Sequence, residues 1–314
     1  MAVVTGTSSA PYDAAMSDRI KHARVGEIDL AYETFGDPEH PPVVLVMGLG
    51  TQMLGWPDDF CAALADRGLF VIRFDNRDIG LSTHLHDAPP GDIAAAMAGN
   101  TSSASYTLSD MARDTVGLLD ALDVGSAHLV GASMGGMIAQ TVAIEHPDRV
   151  RTLTSIMSTT GDPAVGGATD AALAVLLAPP ATSREEAVER TVAAFRVIGS
   201  PGFELDEAEV RERAGLSYDR AYDPDGVARQ LLAILASGDR TARLRGLDVP
   251  TLVIHGDGDP LVNLSGGRAT AGAVPGAELV EIEGMGHNLP RELWPTITDR
   301  IAALVERGEL IASS

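Results

Sequence analysis

The sequence predicts an α/β fold: a mostly parallel, doubly wound sheet with a helical cap inserted between two core strands. Three observations carry this. Strand-like apolar runs alternate with helix-period patterns along most of the chain, which places helices on both faces of a parallel sheet. One run, Val43–Met47, is continuously apolar, as a strand buried on both sides requires. From about residue 161 to 244 the alternation stops and only helical patterns remain.

The elements follow in order. Residues 1–22 are small and polar with no periodicity, and are read as a loose N-terminal arm. The core then takes 23–160 and 245–314, and the cap 161–244. Ile28–Glu33 alternates as a strand with one polar face does. Pro41-Pro42 introduces the strand Val43–Met47. A helix over Asp58–Arg67 leads to the strand Phe70–Phe74. Thr107-Leu108-Ser109-Asp110 matches a capping box, and apolar residues follow at helical spacing to Leu122. Ala127–Val130 is the next strand, and a helical pattern after it runs to about His146, ended by Pro147. Val150–Met157 is a strand. In the cap, Ser183-Arg184-Glu185-Glu186 is a second capping box opening a helix through Ile198, and Asp223-Pro224-Asp225-Gly226 opens another over Val227–Leu235. Thr251–His255 and Glu278–Ile282 are the last strands, and Trp294–Arg307 the last helix.

Composition narrows the function. The chain has 314 residues, of which 45% are apolar, enough for a large core. It carries 44 acidic against 23 basic residues, a formal net charge of −21. That balance argues against nucleic acid or an anionic membrane as partner, since counterion release needs a basic surplus. A single cysteine, Cys61, excludes an internal disulfide and sits in an apolar helical pattern as a small buried hydrophobe. No signal-peptide pattern and no apolar run of membrane-spanning length is found, so the expectation is a cytoplasmic protein without membrane insertion. A homo-oligomer is compatible with all of this.

The chemistry concentrates in Gly131-Ala132-Ser133-Met134-Gly135. Between a strand and a helix, Gly-x-Ser-x-Gly forms a tight turn that strains the serine backbone and exposes its hydroxyl. A serine hydroxyl needs a base within hydrogen-bond reach, and that base needs a third group to hold its tautomer. In a doubly wound sheet such groups belong at the C-terminal ends of strands. Two ends supply them: His255-Gly256-Asp257-Gly258-Asp259-Pro260, after one strand, and Gly284-Met285-Gly286-His287-Asn288, after the next. Ser133 is the candidate nucleophile and His287 the candidate base. For the acid, Asp259 competes with Asp257 in the same loop and with Asp162 beyond the strand 150–157.

Four blocks together resemble the α/β-hydrolase superfamily: Val46-Met47-Gly48-Leu49-Gly50, Asp75-Asn76-Arg77-Asp78-Ile79-Gly80-Leu81-Ser82, the serine turn, and the two loops just described. The stretch Met47–Pro57, with Leu54-Gly55-Trp56-Pro57, is similar to the aclacinomycin methylesterase group and related bacterial carboxylesterases. The resemblance implies the chain order serine, acid, histidine, and favours Asp259 through the family's Gly-x-x-Asp-Pro pattern. It also implies an oxyanion hole from the backbone N–H groups of Leu49 and Met134. Many relatives have His-Gly where this chain has Met47-Gly48, but the donor is a backbone amide and survives the change. The expected activity is hydrolysis of a small to medium hydrophobic carboxylic ester through an acyl-enzyme, with no metal or organic cofactor.

Competing readings are weaker. Gly48-Leu49-Gly50 lacks the third glycine of a dinucleotide loop, since position 53 is Met, and no P-loop lysine follows. Serine at the turn argues against haloalkane dehalogenase or epoxide hydrolase chemistry, which uses aspartate there. Thioesterase, lactonase, carbon–carbon hydrolase and cofactor-free perhydrolase activities share the triad and remain open. A non-catalytic binding protein on the same fold usually lacks part of the triad. Met53, Trp56 and Met285 are candidates to line the pocket. Arg77 is read as a loop anchor, His255 as packing or a donor at a strand end, and His84 with His86 as solvated loop residues, because no cysteine or third histidine accompanies them.

Overall fold

The computed structural model describes residues 19–89 and 91–312. Eight strands form one sheet: β1 (Lys21–Val25), β2 (Ile28–Phe35), β3 (Pro42–Val46), β4 (Phe70–Phe74), β5 (Ala127–Ala132), β6 (Val150–Ile156), β7 (Thr251–Gly256) and β8 (Glu278–Ile282). Their spatial order is β1-β2-β4-β3-β5-β6-β7-β8. From β4 to β8 all neighbours pair in parallel, while β2 pairs antiparallel with both β1 and β4. This is the mostly parallel sheet the sequence predicts.

One strand was not legible. β1 takes Lys21 and His22 from the segment expected to be an arm; residues 1–18 of that segment lie outside the described residues. Only Ala23 of its five side chains is buried. An edge strand with charged, exposed positions has no apolar period to detect, and such charges also guard the edge against pairing with other chains.

The helices are α1 (Asp58–Ala65), α2 (Ile93–Met97), α3 (Leu108–Ala121), α4 (Met134–Glu145), α5 (Asp170–Leu176), α6 (Arg184–Ile198), α7 (Glu207–Arg220), α8 (Pro224–Ser237), α9 (Thr241–Leu244), α10 (Ser265–Ala273) and α11 (Trp294–Ala312). The β-strand period of two splits the core. Val44 and Val46 of β3 join α3 and α4 on one face. Val43 and Leu45 join α1 and α11 on the other. Thr107 caps α3 with the expected box, its backbone and hydroxyl reaching Asp110 Oδ2 at 2.8 and 2.9 Å. Cys61 is fully buried, and its thiol is pushed up to about 12 by that burial.

Five helices, α5 to α9, lie between β6 and β7. Two of them reach the core through buried ion pairs. Arg220, ending α7, holds Asp75 Oδ2 at 2.9 Å, with no side-chain exposure on either residue. Arg229 of α8 grips both oxygens of Asp78, at 2.9 and 2.7 Å. Asp75 and Asp78 belong to the loop after β4, so this loop is the seat of the inserted helices.

Candidate active site

The site starts from a strained turn. Ser133 follows β5 directly and has φ 55°, ψ −120°, a conformation costly for a residue with a side chain. Surrounding bonds over-determine it. Ser133 N–H donates to the Ile156 carbonyl at 2.9 Å, and its own carbonyl accepts from Gly136 N–H and from Ser158 Oγ. The flanking glycines are a steric necessity. A Cβ on Gly131 would stand 2.1 Å from the Gly135 oxygen, and one on Gly135 would stand 2.0 Å from the Val46 oxygen.

His287 and Asp259 meet this serine from the loops after β8 and β7. His287 Nε2 lies 2.9 Å from Ser133 Oγ, and His287 Nδ1 lies 2.7 Å from Asp259 Oδ2. A carboxylate only accepts, so Nδ1 carries the proton and Nε2 turns its lone pair to the serine hydroxyl. Asp259 is buried and its other oxygen accepts from the N–H groups of Leu261 and Val262, both at 2.9 Å. These bonds fix the carboxylate with one oxygen left for the imidazole. The alternatives go elsewhere: Asp257 Oδ1 accepts from Gly284 N–H at 2.7 Å, and Asp162 Oδ1 from Ala164 N–H at 2.9 Å.

His255 stands behind Asp259, its Nε2 3.7 Å from Asp259 Oδ2 and donating to the Val262 carbonyl at 2.7 Å. Burial holds its pKa below the ordinary imidazole value, so it stays neutral there. Of the two readings, packing or a donor at a strand end, it takes the donor's place, bracing the turn whose N–H groups bind Asp259.

The loop after β3 runs against the serine turn; a Cβ on Gly48 would come within 3.1 Å of Ser133 Cβ. Among the described residues, neither Leu49 N–H nor Met134 N–H has a protein acceptor. Met134 N–H also opens α4, whose N-terminal end carries partial positive charge. Gln230 of α8 holds this loop in place: its Oε1 accepts from Gly50 N–H at 2.9 Å and its Nε2 donates to the Arg77 carbonyl at 2.8 Å.

The pocket candidates are placed differently from expectation. Met53, Trp56 and Met285 have no exposed surface. Trp56 lies against Phe60 with the rings tilted by 30°, Phe60 in turn meets Trp294 edge-on, and both Trp56 and Met285 belong to the core against α1 and α11. Large apolar side chains read alike in core and pocket, and here the core takes them. Arg77 anchors its loop, as read, through a bidentate bond to Asp114 at 2.6 Å and a place over the Tyr106 ring. His84 is not solvated: its side chain is 14% exposed and its Nδ1 contacts Asp223 at 2.7 Å.

Sequence reasoning missed the residues that hold the histidine loop. After α6 the chain turns back on residues 284–288. His287 N–H donates to the Ile198 carbonyl at 2.7 Å, and Gly202 N–H to the Gly284 carbonyl at 2.9 Å. Ser200 Oγ accepts from Gly286 N–H at 2.8 Å and donates to Asn288 Oδ1 at 2.6 Å. Ser200 therefore bridges the two neighbours of His287. No local pattern marks it, because its partners lie far along the chain.

Fold and site together define a class, and the comparisons agree. Residues 41–290 match the alpha/beta hydrolase fold family. The chain belongs to that family. It is 32% identical to a rhodomycin D methylesterase of a Streptomyces species, over 88% of this chain and 95% of that protein. It is 31% identical to the rhodomycin D methylesterase of Streptomyces peucetius over the same shares. Among solved structures, an enol-lactonase from Burkholderia xenovorans aligns with a TM-score of 0.68 at 26% identity, covering 91% of this chain and 100% of that one. Among the described residues no helix is long and apolar enough to cross a membrane.

Proposed function

We propose that this carboxylesterase-type hydrolase cleaves small to medium hydrophobic esters, with Ser133 as nucleophile, His287 as general base and acid, and Asp259 as the group that orients the imidazole. The contact chain from Ser133 Oγ through His287 to Asp259 carries this reading. Ser133 Oγ bonds to the acyl carbon as its proton passes to His287 Nε2. The carbonyl oxygen becomes an oxyanion between the N–H groups of Leu49 and Met134. Collapse breaks the bond to the alcohol, which leaves with the proton from His287. Water then repeats the sequence on the acyl-enzyme and releases the acid, restoring the Ser133 hydroxyl. Residues 161–244 act as a cap that is part of the site, since Ile198 and Ser200 hold the base loop.

The methylesterase names of the two Streptomyces relatives support a methyl ester as substrate. The likeness to an enol-lactonase supports lactone cleavage as the second reading, with the same residues in the same roles.

A panel of methyl, p-nitrophenyl, thio- and cyclic esters, run on wild type beside Ser133→Ala, tests both. The expected result is ester turnover that Ser133→Ala lowers by about 10⁴-fold or more, with a fluorophosphonate probe labelling Ser133 alone. Lactones turned over faster than open esters would establish the second reading. Turnover that survives removal of the Ser133 hydroxyl would overturn both.

A further inference from the structure

A second histidine–aspartate cluster joins an inserted helix to the core. His84 and His86 lie in the segment following the loop after β4, with their rings stacked 5.4 Å apart at 13°. Both turn Nδ1 toward one oxygen, Asp223 Oδ2, at 2.7 and 3.8 Å. Asp223 is the N-cap residue of α8, and its other oxygen accepts from Gly226 N–H. The three ligand atoms all lie within 4.8 Å of one another.

The remaining nitrogen of His84 decides what belongs between them. His84 Nε2 faces the Gly80 carbonyl at 2.9 Å, and a carbonyl only accepts, so Nε2 carries a proton. In the neutral ring this leaves the Nδ1 lone pair aimed at a carboxylate oxygen. Two lone pairs at that distance need a cation between them, either a proton on Nδ1 or a metal ion. A proton satisfies two of the three groups. A metal ion uses all three, including the His86 ring, which is 73% exposed and has Nδ1 turned to the same oxygen. The Gly80 carbonyl then plays the part of the outer partner that fixes a ligating histidine's tautomer.

We propose that His84, His86 and Asp223 form a binding site for a divalent transition metal of the zinc class. Two imidazoles and a carboxylate suit that class, and an exposed fourth position is left for water. Bonds of about 2.0–2.1 Å in tetrahedral array set neighbouring donors roughly 3.3 Å apart. To reach that value the His84 contact opens from 2.7 Å, the His86 contact closes from 3.8 Å, and the two ring nitrogens, within 4.8 Å of each other, come to the same spacing. Arg229 Nη2 lies 3.4 Å from Asp223 Oδ2, but its guanidinium is already matched by both oxygens of Asp78, so Asp223 keeps its charge for the ion. The site would be structural. It pins the start of α8 to the core, and α8 carries the Gln230 that holds Gly50 beside Leu49.

The test uses the full chain, stripped with chelator and titrated with Zn²⁺ alone at pH 7.5, followed by calorimetry and thermal unfolding. The expected result is one equivalent bound and a rise in Tm. In His86→Ala the affinity falls by at least about tenfold and the Zn²⁺-dependent rise is lost, while the metal-free Tm is unchanged because only an exposed ring is removed. Asp223→Asn, which still caps α8, gives the same loss of binding. No binding at equimolar Zn²⁺, or binding that both substitutions leave unaltered, overturns the proposal.

Discussion

His287 and His84 make the same contact in two regions of the molecule. Each presents Nδ1 to an aspartate oxygen at 2.7 Å. At the serine turn, Nε2 faces a hydroxyl, which can give up its proton. At the junction with α8, Nε2 faces the Gly80 carbonyl, which can only accept one. The carboxylate contact is thus not what suits His287 to the proposed role of base. The third partner differs, and so does the support around it: Asp259 is anchored by two backbone N–H groups, whereas Asp223 caps a helix and neighbours an arginine.

The largest expected effect separates the pairs directly. Asp259→Asn destroys the tautomer that leaves Nε2 free, and kcat for ester hydrolysis is expected to fall about 10⁴-fold. Asp223→Asn in the same assay is expected to stay within about tenfold of wild type, well short of the loss from disrupting the triad. Equal losses in steady-state kinetics would erase the distinction. The next effect lies on the α8 side alone. Arg229→Met strands Asp78 as a buried charge and is expected to cost about 3–5 kcal/mol in denaturant unfolding. A cost below about 1 kcal/mol would show that α8 is not held through this pair.

A third histidine–carboxylate contact serves as a control far from both. His128 of β5 is fully buried, with Nε2 3.0 Å from Glu309 and Nδ1 2.9 Å from Thr152 Oγ1. Burial lowers its pKa to about 4 despite Glu309. Between the ordinary value of 6.5 and about 4, the unfolded chain binds a proton that the folded chain refuses. Its contribution is therefore complete above pH 6.5 and is lost as pH falls through that window, by roughly 3 kcal/mol in all. Unfolding of His128→Gln should show a shallower decline from pH 7 to pH 4 than wild type; parallel curves would refute the assignment. The smallest effect probes the support of His287. Ser200→Ala is expected to lower kcat by about 10–100-fold, through a loosened His287 loop, with KM little changed. Restoration by Ser200→Thr would distinguish hydrogen bonding from packing, and an unchanged kcat would remove Ser200 from the site.

Much of this was legible from sequence because its causes are local. The apolar run of β3, the capping box of α3 and the glycines around Ser133 each reflect sterics or periodicity within a few residues. Some elements escaped for local reasons too, β1 and α10 among them. β1 has no buried stripe, and α10 is a glycine-rich helix whose Gly267 packs so closely on the His255 ring that a Cβ would come within 2.5 Å of it. Neighbours in space, more than helix propensity, keep α10 in place.

The sequence by itself determined the strand and helix pattern, the serine turn and the family, since these follow from chemistry repeated or clustered along the chain. The resemblance favoured Asp259 among three aspartates; only the tertiary structure decided that Trp56 and Met285 lie in the core, and that Ser200, Gln230, Arg220 and Arg229 tie inserted helices to the loops of the site. Asp257 and Asp259 differ by two positions in one loop, and apart from the resemblance to the Gly-x-x-Asp-Pro pattern their own chemistry does not say which side chain turns inward. The contacts that settle such choices join residues far apart in the chain, and their energies exist only once the sheet has brought them together.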